Sequence, residues 1–258
     1  MLAAQVEGAG VPVVLLHAFP LSRAMWSAQV WPLARRCRLI LPDLPGFGAS
    51  QRLPEPSIAG MADAVIRLLD ELKVREPVVL AGLSMGGYVV FEMLRQAPGR
   101  IRALALLSTR AGADSPEQRE KRLKTVELIR RQGLGALADA TLPKLLGVST
   151  LVGQPAIGEA VRQLILQSDP EGVADALIAM AGRRDAGDLL SAIRCPALVV
   201  AGAEDTLIAP EEASAIQAKI RGAELAVIPQ AGHLVNLEQS AACTALLERF
   251  VASQTPAS

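Results

Sequence analysis

The chain carries no excess of charge and no long apolar run. Over 258 residues, 26 Lys and Arg balance 26 Asp and Glu, which gives no electrostatic reason to expect a nucleic acid or an anionic membrane as a partner. No apolar run approaches the roughly 18 residues that a membrane span needs. Residues 1–14 contain no Lys or Arg, so they do not resemble a signal peptide. We therefore expect a cytoplasmic protein, either a monomer or a homodimer.

Cysteine and histidine are also scarce. Cys37, Cys195 and Cys243 are odd in number and far apart, which is typical of reduced, buried thiols rather than of a disulfide framework. His17 and His233 are the only histidines, so any chemistry that needs an imidazole has two candidates. No cluster of His, Cys and carboxylate residues has metal-ligand spacing. The sequence thus predicts neither a metal site nor a cofactor.

Apolar residues make up 51% of the chain and charged residues 20%, which is typical of a well-filled globular core. Short aliphatic runs, each followed by a turn residue, indicate buried strands at 11–17, 37–41, 77–81, 103–107, 196–201 and 224–228. Helical patterns lie between or after these runs at 24–34, 58–73, 85–97, 210–219 and 236–252. Apolar strands separated by helices predict an α/β fold with a mostly parallel, doubly wound sheet.

This alternation stops between residues 112 and 186, where no strand-like run occurs. Ser115 followed by Pro116 is typical of a helix start, and later glycines separate further short helices. We expect a core domain of residues 1–111 and 187–258. Residues 112–186 would form a helical lid over the carboxyl ends of the strands, where open α/β sheets bind ligands.

A small-x-Ser-x-small turn follows the third strand run. Residues 82–86 read Gly-Leu-Ser-Met-Gly and precede a predicted helix. A serine on a sharp strand-to-helix turn has its Oγ lifted away from the backbone, and its small neighbours let the chain turn tightly. The pattern alone is more often a plain turn. Ser84 becomes a candidate nucleophile because of what stands elsewhere in the chain.

Two further residues follow strand runs and therefore lie at the same edge of the predicted sheet as Ser84. Asp205 follows the fifth run and His233 the sixth. An activated serine needs a base, and the base needs an orienting carboxylate. Asp205 alone could be a helix cap and His233 alone a solvated loop residue, but the chain order Ser, Asp, His is that of an elbow-type triad. Glu204 is the rival acid and His17 the rival base.

A tetrahedral intermediate needs two N–H donors for its oxyanion. The amide of Met85, at the start of the predicted helix, is one candidate. The second is the amide of Phe19, with Ala18 as the next choice. We expect His17 and Asp43 to brace their loops by hydrogen bonds.

Aromatic residues make up only 3% of the chain, which favours a pocket walled by aliphatic lid residues. The candidates for substrate contact are Leu145, Leu146, Leu164, Ile178 and Met180 from the lid, with Trp26 and Ala18 near the oxyanion loop.

These motifs together resemble the α/β-hydrolase superfamily, and within it the group of 3-oxoadipate enol-lactonases, small carboxylesterases and cofactor-free haloperoxidases. The matching segments are residues 17–20, 42–50, 82–86, 202–205 and 232–233. The resemblance implies a triad of Ser84, Asp205 and His233 with the Phe19 and Met85 amides as oxyanion donors. The chain departs from the family pattern in having Ala18 where glycine is usual. Only residues 1–10 precede the first predicted core strand, so we expect the N-terminal hairpin that is usual in the family to be shortened.

The resemblance implies a serine hydrolase that cleaves a small carboxylic ester or lactone through an acyl-enzyme, without a cofactor. The same triad also serves C–C bond hydrolases, perhydrolases or haloperoxidases, and acyl-homoserine-lactone hydrolases. From other classes, a non-catalytic small-molecule receptor or a structural scaffold on this fold stays open.

Overall fold

The computed structural model describes residues 2–254. Its seven strands form one sheet in the order β1-β3-β2-β4-β5-β6-β7. The strands are β1 (Ala4–Glu7), β2 (Pro12–Leu16), β3 (Arg38–Pro42), β4 (Val78–Leu83), β5 (Ile101–Leu107), β6 (Ala197–Gly202) and β7 (Glu224–Ile228). Strands β2 to β7 are mutually parallel, and β1 pairs antiparallel with β3. The predicted mostly parallel α/β fold is confirmed, and within residues 2–254 one strand, β1, precedes β2.

Helices cover the sheet and fill the connections. They are α1 (Ser27–Ala34), α2 (Ile58–Glu71), α3 (Met85–Gln96), α4 (Pro116–Leu145), α5 (Val148–Gly153), α6 (Pro155–Leu166), α7 (Pro170–Ala181), α8 (Gly187–Leu190), α9 (Pro210–Lys219), α10 (Val235–Glu238) and α11 (Ser240–Ala252). Helix α1 packs against α11, and α2 packs against α3. Every residue of β2, β4 and β6 is buried, as expected for parallel strands covered on both faces. Within residues 2–254, no helix is both long and apolar enough to cross a membrane.

Two boundaries differ from the sequence-based expectation. Strand β1 was not predicted because it is a short edge strand with partly exposed residues, and so it has no apolar run. The helix expected at 236–252 is two helices, α10 and α11, because Gln239 between them has the non-helical angles φ −128° and ψ 59°.

Five helices, α4 to α8, lie between β5 and β6, and we call the first four of them, α4 to α7, the helical insertion. Helix α4 begins with a capping box in which the Ser115 hydroxyl accepts the Gln118 N–H and the Gln118 side chain accepts the Ser115 N–H. Its two halves change direction at Gly133, whose φ of 76° and ψ of −176° are non-helical. This backbone region is essentially restricted to glycine. One residue therefore sets the angle between the two halves of α4.

Candidate active site

Ser84 occupies a strained turn between β4 and α3. Its φ of 54° and ψ of −111° are rare outside glycine, and such a conformation costs about 1–3 kcal/mol. The Ser84 N–H donates to the Leu107 carbonyl at 2.9 Å. The Ser84 carbonyl accepts from the Gly87 N–H at 2.9 Å, the Tyr88 N–H at 3.3 Å and the Thr109 hydroxyl at 2.9 Å. These bonds hold the turn in place, so the strain persists in the folded protein.

The glycines around Ser84 are required by close packing. A Cβ on Gly82 would lie 2.4 Å from the Gly86 carbonyl, and a Cβ on Gly86 would lie 2.4 Å from the Leu16 carbonyl oxygen. A Cβ on Gly87 would lie 2.4 Å from the Thr109 hydroxyl oxygen. Real Cβ atoms do not approach this closely, so the small residues let the turn sit directly on β2 and β5.

His233 and Asp205 form a buried hydrogen-bonded pair. The distance between His233 Nδ1 and Asp205 Oδ2 is 2.8 Å, and the two side chains are 3% and 0% exposed. The other carboxylate oxygen, Oδ1, accepts the N–H groups of Leu207 and Ile208, both at 2.9 Å. The carboxylate is thereby oriented by its own loop. Since a carboxylate accepts, Nδ1 carries the proton of the neutral imidazole, and Nε2 is left as the acceptor.

Ser84 and His233 line one cavity of about 590 Å³. The hydrogen bonds among residues 2–254 do not include one between Ser84 Oγ and His233. Catalytic hydrogen bonds are often long in ligand-free proteins and tighten when substrate binds. The arrangement brings the three sequence-predicted triad residues to one edge of the sheet, as their positions after β4, β6 and β7 require.

Glu204, the rival acid, is engaged elsewhere. Its carboxylate accepts the Ser149 N–H at 2.8 Å and also the Ser149 hydroxyl, at the start of α5. These hydrogen bonds hold the pKa of Glu204 below its usual range. The geometry therefore favours Asp205 over Glu204 as the partner of His233.

His17, the rival base, braces two loops. Its Nε2 accepts the Leu44 N–H at 2.9 Å, so Nδ1 is the donor to the Ala18 carbonyl at 3.0 Å. The ring is fully buried, and this burial lowers the pKa of His17 to about 4. His17 thus stays neutral and lies outside the cavity lining, in agreement with the predicted bracing role.

Asp43 braces the loops around it by hydrogen bonds, as expected. Its Oδ1 accepts the Arg23 N–H at 2.9 Å, and its Oδ2 accepts the Ala49 N–H at 3.1 Å and pairs with the Arg23 guanidinium. Gly48 must be small there, because a Cβ would lie 2.0 Å from Asp43 Oδ2.

The two backbone amides predicted as oxyanion donors have no acceptor within the described residues. Within residues 2–254, neither the Phe19 nor the Met85 N–H donates to a protein acceptor. The Ala18 N–H instead donates to the Met25 sulfur at 3.2 Å, which makes it unsuitable as an oxyanion donor. Ala18 is not among the residues with positive φ, so its methyl group causes no backbone strain where the family usually has glycine.

The cavity wall corrects several expected substrate contacts. Leu145 and Met180 line the cavity, as expected. Trp26, Ala18 and Leu146 do not line it, and all three pack among core side chains away from the cavity. The other two lid candidates, Leu164 and Ile178, also lie outside the lining, and Ile178 is 37% exposed at the surface. Helical periodicity alone does not tell which face of an insertion helix turns inward.

Sequence reasoning missed several lining residues. Tyr88 lies one helical turn after Ser84 on α3, so the i, i+4 spacing could have identified it. Arg110, Lys121, Arg122 and Lys144 also line the cavity. The start of α4 is densely charged, so nothing in the sequence distinguishes its inward cations from its solvated ones.

The helical insertion is fastened directly onto the His233 loop. The Leu145 carbonyl accepts the N–H groups of His233 at 3.2 Å and Leu234 at 3.3 Å. The buried carboxylate of Glu238 accepts the Gly147 N–H at 2.7 Å and the Leu234 N–H at 3.0 Å, as well as the Thr150 hydroxyl at 2.8 Å. The junction of α4 and α5 therefore contributes to the position of the imidazole.

The described cysteines are free thiols, and Cys37 and Cys243 are buried. Burial raises the pKa of Cys37 to about 11 and that of Cys243 to about 12. Over the range 2–254, we find no group of three or more His, Cys, Asp or Glu side chains that could hold a metal ion.

Known proteins resemble this chain over most of its length. It is 42% identical to a thermophilic esterase from Thermogutta terrifontis, solved with malate bound, with a TM-score of 0.95 over 98% of this chain and 93% of that one. The enol-lactonase from Burkholderia xenovorans LB400 is 28% identical, with a TM-score of 0.89 over 97% of this chain and 96% of that one.

A longer relative matches too. The dihydrolipoyllysine-residue acetyltransferase component of the acetoin cleaving system of Pseudomonas putida is 31% identical over 232 residues, which cover 89% of this chain. This chain spans 60% of that relative's length. The family model described as alpha/beta hydrolase fold matches residues 11–240. The chain therefore belongs to the α/β-hydrolase fold family, as its strand-end motifs predicted, and within it resembles esterases and enol-lactonases.

Proposed function

We propose that this hydrolase uses Ser84 as its nucleophile and cleaves a small carboxylic ester or lactone through an acyl-enzyme. The observation that carries the proposal is the buried Asp205–His233 pair, which lies at the same cavity as the strained Ser84. The likeness to an esterase and an enol-lactonase at 42% and 28% identity supports this substrate class.

In the proposed reaction, Ser84 Oγ attacks the carbonyl carbon while His233 Nε2 takes its proton. Asp205 holds the imidazole and stabilises the imidazolium. The Phe19 and Met85 amides bind the oxyanion, and each such donor typically contributes about 10²–10³ in rate. The C–O bond then breaks, and His233 returns the proton to the leaving oxygen. His233 next takes a proton from water, whose oxygen attacks the acyl carbon. The bond between that carbon and Ser84 Oγ then breaks, and His233 gives the proton to Ser84 Oγ, which releases the acid and restores the hydroxyl.

We further propose that residues 112–186 act as a lid on a core of residues 1–111 and 187–258. Helices α4 and α7 contribute cavity-lining residues, among them Leu137 and Leu177. A substrate would then be held between the lid and the carboxyl ends of the strands. For a lactone, the acid and the alcohol stay in one product molecule.

The experiment is covalent labelling together with turnover. A fluorophosphonate probe should label the native protein, and Ser84→Ala should lose both the label and the hydrolysis of a short-chain p-nitrophenyl ester. Ser108→Ala is the matched control, since Ser108 also has positive φ, 43°, but does not line the cavity. It should keep the label. Undiminished turnover by a folded Ser84→Ala protein refutes the proposal.

A further inference from the structure

The cavity wall is strongly cationic although the chain as a whole has no net charge. Four cations line it, namely Arg110, Lys121, Arg122 and Lys144, and Asp114 is the one carboxylate among its lining residues. A cleft lined by one sign of charge focuses the field and concentrates ligands of the opposite sign. The excess of positive charge is therefore a property of this site and not of the molecule.

Asp114 does not neutralise this wall. Its buried carboxylate pairs with Arg122 and, at 2.7 Å, with Arg183, which lies behind the wall. Burial alone would raise the pKa of Asp114, but the hydrogen bonds from the two guanidinium groups outweigh it, so the pKa lies below its usual range. One carboxylate between two guanidinium groups leaves one positive charge in excess. Asp114 also fixes Arg122 in place at the wall.

The other three cations of the wall are not neutralised by a described carboxylate. Over residues 2–254, Arg110, Lys121 and Lys144 form no ion pair, and Arg110 donates instead to the Leu207 carbonyl at 2.7 Å. Lys121 and Lys144 come from opposite halves of α4, and the bend at Gly133 lets both halves line one cavity. By contrast, Lys124 on the same helix does not line the cavity and pairs with Glu120 at 2.7 Å.

We propose that this site takes esters or lactones that carry a carboxylate in addition to the scissile group. This inference rests on the proposed function and adds the charge of its substrate. Lys121 and Lys144 bind the carboxylate together with the fixed Arg122. Apolar residues such as Leu145, Met180 and Leu177 contact the part of the substrate between the carboxylate and the carbonyl at Ser84.

Binding can be separated from turnover with the Ser84→Ala protein. Titration calorimetry with monomethyl glutarate and with dimethyl glutarate compares a charged and a neutral ester of similar shape. At low salt we expect the charged ester to bind about tenfold more tightly, the effect of a charge-assisted hydrogen bond. Salt at about 0.5 M should reduce this ratio by screening. Equal affinities, or no binding of either ester, overturn the proposal.

Variants identify the residues responsible. In the Ser84→Ala background, Lys121→Gln with Lys144→Gln should reduce the charged-to-neutral affinity ratio about tenfold, whereas Lys124→Gln should leave the ratio as it was. An unchanged ratio in the double variant overturns the assignment of these lysines. If the native protein hydrolyses neither ester while the charged one still binds more tightly, the proposed function fails and the anion site stands.

Discussion

Glu204 and Ser149 join the helical insertion to the loop that carries Asp205. The Glu204 carboxylate accepts both the N–H and the hydroxyl of Ser149, while the next residue, Asp205, binds His233 at 2.8 Å. Two adjacent carboxylates of one loop thus serve different partners. Glu204 holds the insertion in place, and Asp205 orients the imidazole.

This division predicts unequal effects of two conservative substitutions. Asp205→Asn should lower kcat for a p-nitrophenyl ester by about 10³–10⁴, because an amide cannot hold the required tautomer of His233. Glu204→Gln should lower kcat less than about tenfold and should mainly lower Tm, since it weakens a charge-assisted hydrogen bond to the insertion. A larger kcat loss in Glu204→Gln would move the orienting role to Glu204.

The buried His17 predicts a specific loss of stability in acid. Its pKa is about 4 in the folded protein, against 6.5 for the free side chain, so between these values the unfolded chain binds more protons. The contribution of the neutral His17 ring to the free energy of unfolding is therefore fully present above about pH 6.5. It is lost as the pH falls from 6.5 towards 4, and the total loss is about 3 kcal/mol.

The measurement is urea unfolding at several pH values between 7 and 4. Carboxylates also titrate there, so the comparison is with His17→Gln, which has no titrating group at this position. The difference in unfolding free energy between the two proteins should shrink as the pH falls. Parallel pH profiles would show that His17 titrates alike in the folded and unfolded states.

The backbone conformation of Gly133 predicts that a larger residue there lowers the stability of the protein without any steric clash. Gly133→Ala should destabilise the protein by about 1–3 kcal/mol, because alanine is disfavoured at φ 76° and ψ −176°. Gly135→Ala is the matched control two residues away, in the helical part of α4, and should stabilise by about 0.4–1 kcal/mol. A Cβ at either position meets no atom within 4 Å.

The readout is Tm and denaturant unfolding of both variants. Opposite signs are expected, since only the backbone angles differ between the two sites. Equal shifts would mean that the bend at Gly133 is not a fixed feature of the folded protein.

Much of the fold was predictable because its signals are local. The six apolar runs became β2 to β7 with ends shifted by at most two residues. A strand buried on both faces, such as β2, β4 or β6, needs a continuous apolar run. The two edge strands, β1 and β7, are partly exposed instead, and of these only β7 has an apolar run that the sequence could show. The Asp205–His233 pair was predictable for a related reason, because the carboxyl ends of parallel strands meet at one edge.

The cavity wall was not predictable. Leu145 and Leu146 are adjacent in the sequence, yet only Leu145 lines the cavity. Likewise, Lys121 lines the cavity while Lys124, on the same helix, does not. Which side chain turns inward depends on how each helix is rotated against the core, and local sequence carries little of that information.

The sequence by itself determined the α/β order of elements, the turn that carries Ser84 and the chain positions of Asp205 and His233, because short-range sterics and the burial of parallel strands specify them. Tertiary structure alone decided that Glu204 holds the insertion, that the Ala18 amide is occupied by Met25, and that Lys121 and Lys144 line one cavity. These outcomes depend on the path of α4 and on packing between segments distant in the chain.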